Sequence, residues 1–340
     1  MKLTYEQIRT LATGAVDSEI TDRGLHLYRF TPAQRKLEHP YIPTLEAMYR
    51  GSAGIKLCFG TDSRSLHFRA DLSEPCTRRS ICALDVLVDG VWAGGWENCP
   101  QATPNGGYSD LVCPMGVAEV KLDFAEGWKE VCIYLPWSAC SVIEELMLED
   151  GARVQAAVPE RTLLCFGDSI TMGCHALRPS CSYAARLARA LGAQEFNKAL
   201  AGGVSFPELT AIRDELEPDV ITVAYGTNDW RKASPERFVD CYGTMLRNLR
   251  GHYPNAPIFA ITPLWRRDID GNTQWPDFGL VERYIRQLAN EVGGVHVVCG
   301  MELVPHDPAF FADRQLHPND VGFERYAQGL LAAIREKIEE

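Results

Sequence analysis

The chain has 340 residues, of which 46% are apolar and 23% charged, and it carries a net charge of −11 at neutral pH. A chain of that length divides into about two domains of about 100–200 residues and can bury large cores without disulfides or metals. The acidic balance excludes a nucleic-acid or anionic-membrane partner as the expectation, because both need clustered Lys and Arg.

The first 20 residues, MKLTYEQIRTLATGAVDSEI, hold no apolar segment of signal-peptide type, and no stretch is long and apolar enough to span a membrane. Residues 5–12 read as a short helix. Short apolar or β-branched runs follow at 53–60, 64–70, 84–89, 117–124, 130–135 and 142–148. Ser65-Leu66-His67-Phe68-Arg69-Ala70 alternates apolar and polar residues, as a half-buried strand does. Gly, Pro, Asn and Asp clusters separate the runs, notably Asp89-Gly90. Many short strands with turns between them predict an antiparallel β-sandwich.

The rhythm changes near residue 150. Strands at 163–166, 195–199, 219–225, 257–262 and 295–299 alternate with helices at 182–191, 207–217, 235–250 and 279–291. A last helix starts at Asp320, read as its cap. This alternation predicts an α/β domain, a doubly wound parallel sheet covered on both faces. The expected domains are 1–152 and 153–340.

None of the 12 cysteines forms a Cys-x-x-Cys pair, and no Cys/His spacing suits zinc. Several lie in apolar runs, as in Lys56-Leu57-Cys58-Phe59, where buried free thiols are expected. That pattern suits a reducing compartment. The reading is therefore cytoplasmic, with neither metal nor cofactor.

Ligands of such sheets bind beyond the carboxyl ends of the strands, and four short segments lie there. In Gly167-Asp168-Ser169-Ile170-Thr171, Ser169 opens a helix and reads either as a nucleophile or as an N-cap serine. In Asn197-Lys198-Ala199-Leu200-Ala201-Gly202-Gly203, a glycine lets a backbone N–H approach an oxyanion, or simply makes a turn. In Gly226-Thr227-Asn228-Asp229, the Asn228 amide can donate to the same oxyanion, or serve an Asx turn. In Asp313-Arg314-Gln315-Leu316-His317, the imidazole is a base for the serine, and a carboxylate can orient it. Together the four fill each role of an acyl-transfer site once.

These segments resemble the SGNH, or GDSL-type, hydrolases: a Gly-Asp-Ser block, a glycine block, a Gly-x-Asn block and a final Asp-x-x-His block. Ser169, Gly202, Asn228 and His317 match, over about residues 160–340. The resemblance implies a three-layer, flavodoxin-like catalytic domain. It also implies an oxyanion hole of Ser169 N–H, Gly202 N–H and the Asn228 amide. The two-domain layout is similar to the carbohydrate esterase family 2 deacetylases and to some polyketide-tailoring acyltransferases, in which a jelly-roll-like β-sandwich comes first. One feature departs from the family. The residue three before His317 is Arg314, and Asp313 lies four before. Asp313 either reaches His317 through a longer loop, or the site is a Ser-His dyad with another acceptor, such as a backbone carbonyl. Asp320 is the weaker alternative acid, given its capping role.

Trp230, Trp265 and Tyr108 are candidate substrate-binding aromatics, each weighed against an ordinary core or loop role. His175 reads as a rim residue. The expected function is hydrolysis of small acyl esters, foremost acetyl, on a small-molecule or oligosaccharide substrate. Acyl transfer by the same residues is one alternative. A carbohydrate-binding protein with an inactive hydrolase domain is another. An α/β-hydrolase fits less well, because Gly-x-Ser-x-Gly is absent around Ser169.

Overall fold

The computed structural model describes residues 1–43, 45–78, 81–98, 115–271 and 274–338. The first half carries strands β1 (Ala12–Thr13), β2 (Asp17–Thr21), β3 (Gly24–Tyr28), β4 (Lys56–Thr61), β5 (Ser65–Pro75), β6 (Ala83–Val88), β7 (Val91–Glu97), β8 (Val117–Asp123), β9 (Lys129–Tyr134), β10 (Ala139–Leu148) and β11 (Val154–Ala156). Two short helices, α1 (Tyr5–Thr10) and α2 (Leu45–Arg50), join them.

The strands form two antiparallel sheets, one ordered β2-β3-β10-β5-β8 and the other β1-β4-β9-β6-β7, with β11 added beside β4. Strand β5 buries Leu66, Phe68, Ala70 and Leu72 while Ser65, His67 and Arg69 are more exposed, as a two-residue side-chain period requires. These side chains meet Leu57, Phe59, Val131 and Ile133 of the facing sheet in one core. The β6–β7 connection is Asp89-Gly90, both at positive φ (50° and 79°), which is the two-residue hairpin geometry that matches strand twist.

Because β11 pairs with β4, the sandwich retains Val154–Ala156. The crossing into the second half therefore falls at 157–160, somewhat later than the expected boundary at 152.

The second half is one parallel sheet. Its strands are β12 (Arg161–Gly167), β13 (Ala193–Asn197), β14 (Val220–Ala224), β15 (Ile258–Ile261) and β16 (Val295–Val298), ordered β13-β12-β14-β15-β16. The intervening helices are α3 (Ser169–Met172), α4 (Tyr183–Leu191), α5 (Pro207–Ala211), α6 (Asp229–Lys232), α7 (Pro235–His252), α8 (Gly279–Val292) and α9 (Asp320–Ile338). Alternate residues of β12 feed two separate cores. Leu164 and Phe166 join the α7–α8 side, and Leu163 and Cys165 join the α4–α9 side. The sheet is thus apolar on both faces. Strand order reverses at β12, so the crevice beyond its carboxyl end is the topological switch point.

Candidate active site

Gly167 ends β12 against the next turn, where an added Cβ would run into Thr171 Oγ1. Asp168 takes the capping role, its Oδ1 accepting the Ile170 N–H at 2.9 Å. Ser169 is therefore the first residue of α3, not its cap. Its Oγ lies 2.9 Å from His317 Nε2. Ser169 is 8% exposed and His317 6%.

His317 Nδ1 lies 2.6 Å from Asp313 Oδ2. The extra residue between them is absorbed at Arg314, whose φ of 56° is left-handed and folds the loop back on itself. Asp313 Oδ1 accepts the N–H groups of Gln315, Leu316 and His317 at 3.0, 2.8 and 3.0 Å. Burial acts to raise the Asp313 carboxyl, but the His317 contact and these N–H donors outweigh it and hold it below the usual carboxylate range. Asp313 stays ionised. The cap of α9 is Asn319, whose Oδ1 accepts from Val321 and Gly322 N–H. Asp320, expected as the cap, instead accepts the Leu177 N–H at 3.0 Å.

The glycine block is tied directly to the turn that carries Ser169. Asn197 Nδ2 donates to Thr171 O at 2.8 Å, its Oδ1 accepts the Ala199 N–H, and Leu200 N–H donates to Gly167 O. Gly202 has φ +76°, a conformation that side-chain-bearing residues adopt at a cost. Lys232 Nζ donates to Gly202 O at 2.6 Å.

Asn228 makes no capping bond to α6. Its Nδ2 donates to Asp168 Oδ2 at 3.2 Å and Gly203 O at 3.1 Å. To serve an oxyanion, the amide must share or release one of these bonds. Asp229 ties the loop after Gly202 to the loop before Asn228. Its Oδ1 accepts Ser205 N–H and its Oδ2 accepts Gly226 N–H. Burial pushes Asp168 up to about 7 and Asp229 up to about 6.

Ser169, Gly202, Asn228 and His317 line one cavity of about 620 Å³. Cys174, Ala201, Lys232 and Leu316 complete its second-domain side. Tyr41, Ile42, Pro43, Met48, Thr77 and Arg78 come from the first domain. No local pattern in the sequence marks those six, since they reach the site only by domain packing.

Two of the three expected aromatics, Trp230 and Trp265, lie elsewhere. Trp230 is buried beside a second cavity, with Phe278 and Trp275, under the Arg266 guanidinium at 4.8 Å. Asn228 and Lys232 share one side of α6 at four-residue spacing, so Trp230 points the other way. Trp265 stacks on His306 and packs against Phe311, also outside the Ser169 cavity. Tyr108 lies outside the described residues.

His175 is not on the rim. It is 3% exposed, has φ 73°, and stacks on the His317 ring with centroids 4.7 Å apart at 27°. Donor atoms of His175, Asp313 and His317 lie within 4.8 Å of one another. Stacked imidazoles, however, carry their in-plane lone pairs side by side rather than toward one point. This set suits orientation of His317 better than metal coordination.

Ser169, His317 and Asp313 thus stand in one hydrogen-bonded chain at the switch point of a doubly wound, flavodoxin-like sheet. Residues 165–325, which lie within the second domain, match the GDSL-like Lipase/Acylhydrolase family. No curated protein matches the chain by sequence.

Solved structures resemble the whole two-domain chain. A candidate GDSL-like lipase from Bacteroides ovatus superposes with TM-score 0.78 at 22% identity, covering 100% of this chain and 98% of that one. The salicylyl-acyltransferase SsfX3 of a tetracycline biosynthetic pathway gives 0.76 at 23% identity, covering 96% and 94%. The acetyl xylan esterase Est2A from the rumen bacterium Butyrivibrio proteoclasticus gives 0.63 at 15%, covering 100% and 98%. At these identities the likeness concerns the fold. Among the described residues, no helix is long and apolar enough to cross a membrane.

Proposed function

We propose that the protein is a serine esterase that hydrolyses small acyl esters, foremost acetyl groups on carbohydrate. The observation that carries this reading is the chain Ser169 Oγ–His317 Nε2–Nδ1–Asp313, at 2.9 and 2.6 Å, opening on a cavity of about 620 Å³. His317 takes the Ser169 proton as Oγ attacks the ester carbonyl. The Ser169 and Gly202 N–H groups and the Asn228 amide hold the oxyanion. Collapse expels the alcohol, which takes the proton from His317. Water then repeats the sequence on the acyl-serine. The carbohydrate part of the reading draws on the likeness to acetyl xylan esterase Est2A and is a substrate proposal.

Ser169→Ala in pure protein should abolish p-nitrophenyl acetate turnover. Full activity in that variant sinks the assignment. Acetate release from acetylated xylo-oligosaccharides then tests the substrate. Sugar binding with no ester turnover by the wild type would point instead to an inactive hydrolase domain.

Acyl transfer is the second reading, supported by the apolar stretch of Tyr41, Ile42, Pro43 and Met48, which lines the cavity beside Thr77 and Arg78. An apolar wall limits water and favours another alcohol as acceptor. Product analysis with and without acceptor alcohols separates the two.

A further inference from the structure

The sandwich domain grips the glycine block through one buried cation. Arg29 follows β3, is 0% exposed, and makes four hydrogen bonds, each to a main-chain carbonyl. Nη1 donates to Asn197 O at 2.9 Å and Ala199 O at 2.7 Å, across the domain seam. Nε donates to Gly51 O and Nη2 to Met48 O, both at 3.0 Å and both within its own domain. Burial lowers this guanidinium only to about 10, so it stays charged at neutral pH.

A charged group withdrawn from water this completely is costly unless every donor is well placed. Here the placement joins two parts of the candidate site. Asn197 and Ala199 begin the loop that ends at Gly202, and Met48 lines the cavity.

A second tie holds the residue between them. Lys198 is 0% exposed, pairs with Asp214 at 2.5 Å, and donates to Gln34 Oε1 at 3.0 Å. Gln34 Nε2 in turn donates to Asp214 Oδ2 at 3.2 Å. The backbones also meet closely. A Cβ on Gly54 of the first domain would lie 2.7 Å from Asn197 Cβ, and one on Gly14 would lie 2.5 Å from Glu195 O. Three consecutive residues, Asn197, Lys198 and Ala199, are therefore held from the other domain.

We propose that Arg29 is a positioning residue for catalysis, which sets the Asn197–Gly203 loop, and with it the Gly202 N–H, against Ser169. The sandwich domain is then a working part of the active site and not a detachable module. This inference rests on Gly202 being an oxyanion donor.

The test uses the full chain with Arg29→Met, which removes every donor, and Arg29→Lys, which keeps the cation with fewer donors. Far-UV circular dichroism establishes folding. kcat and KM for p-nitrophenyl acetate are measured beside the Ki of a boronic acid that forms a tetrahedral adduct on serine. A loop misplaced by about 1 Å costs about 10²-fold. Folded Arg29→Met should therefore lose about that factor in kcat, with KM changed less than about threefold. Its boronate Ki should weaken in step, and Arg29→Lys should fall between the two. A merely structural residue would change melting temperature and leave kcat and boronate Ki in place.

Folded Arg29→Met with wild-type kcat and boronate Ki overturns the inference. If Arg29→Met does not fold, Arg29→Lys decides by the same two readouts, and wild-type values in it, or its failure to fold, overturn the inference as well. A boronic acid that binds wild-type protein no better than its boron-free analogue removes the oxyanion reading and this inference together. One that binds wild type tightly and folded Arg29→Met equally tightly removes the inference alone.

Discussion

Asp313→Asn tests how His317 is oriented, and the loop geometry dictates the outcome. Asp313 Oδ1 accepts three backbone N–H groups, at 3.0, 2.8 and 3.0 Å, while Oδ2 faces His317 Nδ1 at 2.6 Å. An asparagine has one oxygen, and the three N–H donors claim it, because an NH₂ group turned toward them would set donor against donor. The NH₂ must then face Nδ1, which can meet it only with a lone pair. The ring proton moves to Nε2, and Nε2 no longer accepts the Ser169 hydroxyl 2.9 Å away. Shape and loop are conserved, so the loss falls on the tautomer. Locking the wrong tautomer costs about 10⁴ in kcat, equivalent to about 5.4 kcal/mol at about 1.36 kcal/mol per decade. KM should stay near wild type. Asp313→Ala presents no opposing donor and should retain more activity than Asp313→Asn, although it loosens the loop. Steady-state p-nitrophenyl acetate hydrolysis, with a thermal melt on each variant, reads both effects. An Asp313→Asn enzyme that melts normally and keeps kcat within about tenfold of wild type refutes the reasoning, and His317 would then take its orientation from another acceptor.

Asn228→Ala should lower kcat by about 10²–10³, or about 2.7–4 kcal/mol of barrier, the usual cost of one oxyanion donor. A variant whose KM rises while kcat holds would assign Asn228 to substrate binding instead. Asp168, raised to about 7 by burial, holds its proton in the folded protein at pH values where the unfolded chain, with a carboxyl near about 3.9, has lost it. The folded state binds the extra proton between those values, so this contribution to stability is present in acid and is lost as pH rises from about 4 to about 7. Asp168→Asn should therefore gain in melting temperature relative to wild type between pH 5 and pH 8. Asp229, raised to about 6 for the same reason, keeps part of the slope, and a constant difference across that range would contradict the assignment. Trp265→Ala should leave KM for the ester unchanged, because Trp265 packs on His306 and Phe311 outside the Ser169 cavity. A large rise in KM would place it at the substrate after all.

The class of fold is legible in the sequence because it is written locally. The two-residue alternation of Ser65–Ala70 and the β/α alternation after residue 160 each need only neighbouring residues. The same holds for Ser169, Gly202, Asn228 and His317, since each stands at a strand end or loop where a short motif suffices. Less was legible at element ends. The helix expected over 207–217 stops at Ala211, while beyond it Asp214 is drawn into the Lys198 pair.

The Asp313–His317 contact needed three dimensions, because whether one extra residue breaks the contact depends on Arg314 taking a left-handed φ of 56°. Nearness to Asn228 in sequence does not bring Trp230 to the Ser169 cavity, since two residues along a helix turn a side chain to the opposite face. The first-domain wall of the cavity and the grip of Arg29, 168 and 170 residues from its acceptors Asn197 and Ala199, leave no local trace. By itself the sequence determined the periodicities and the motif positions at the strand ends, which depend on short-range steric and hydrogen-bonding preferences. Only the tertiary structure decided what orients His317 and what holds Gly202, because those contacts exist only once distant segments have packed together.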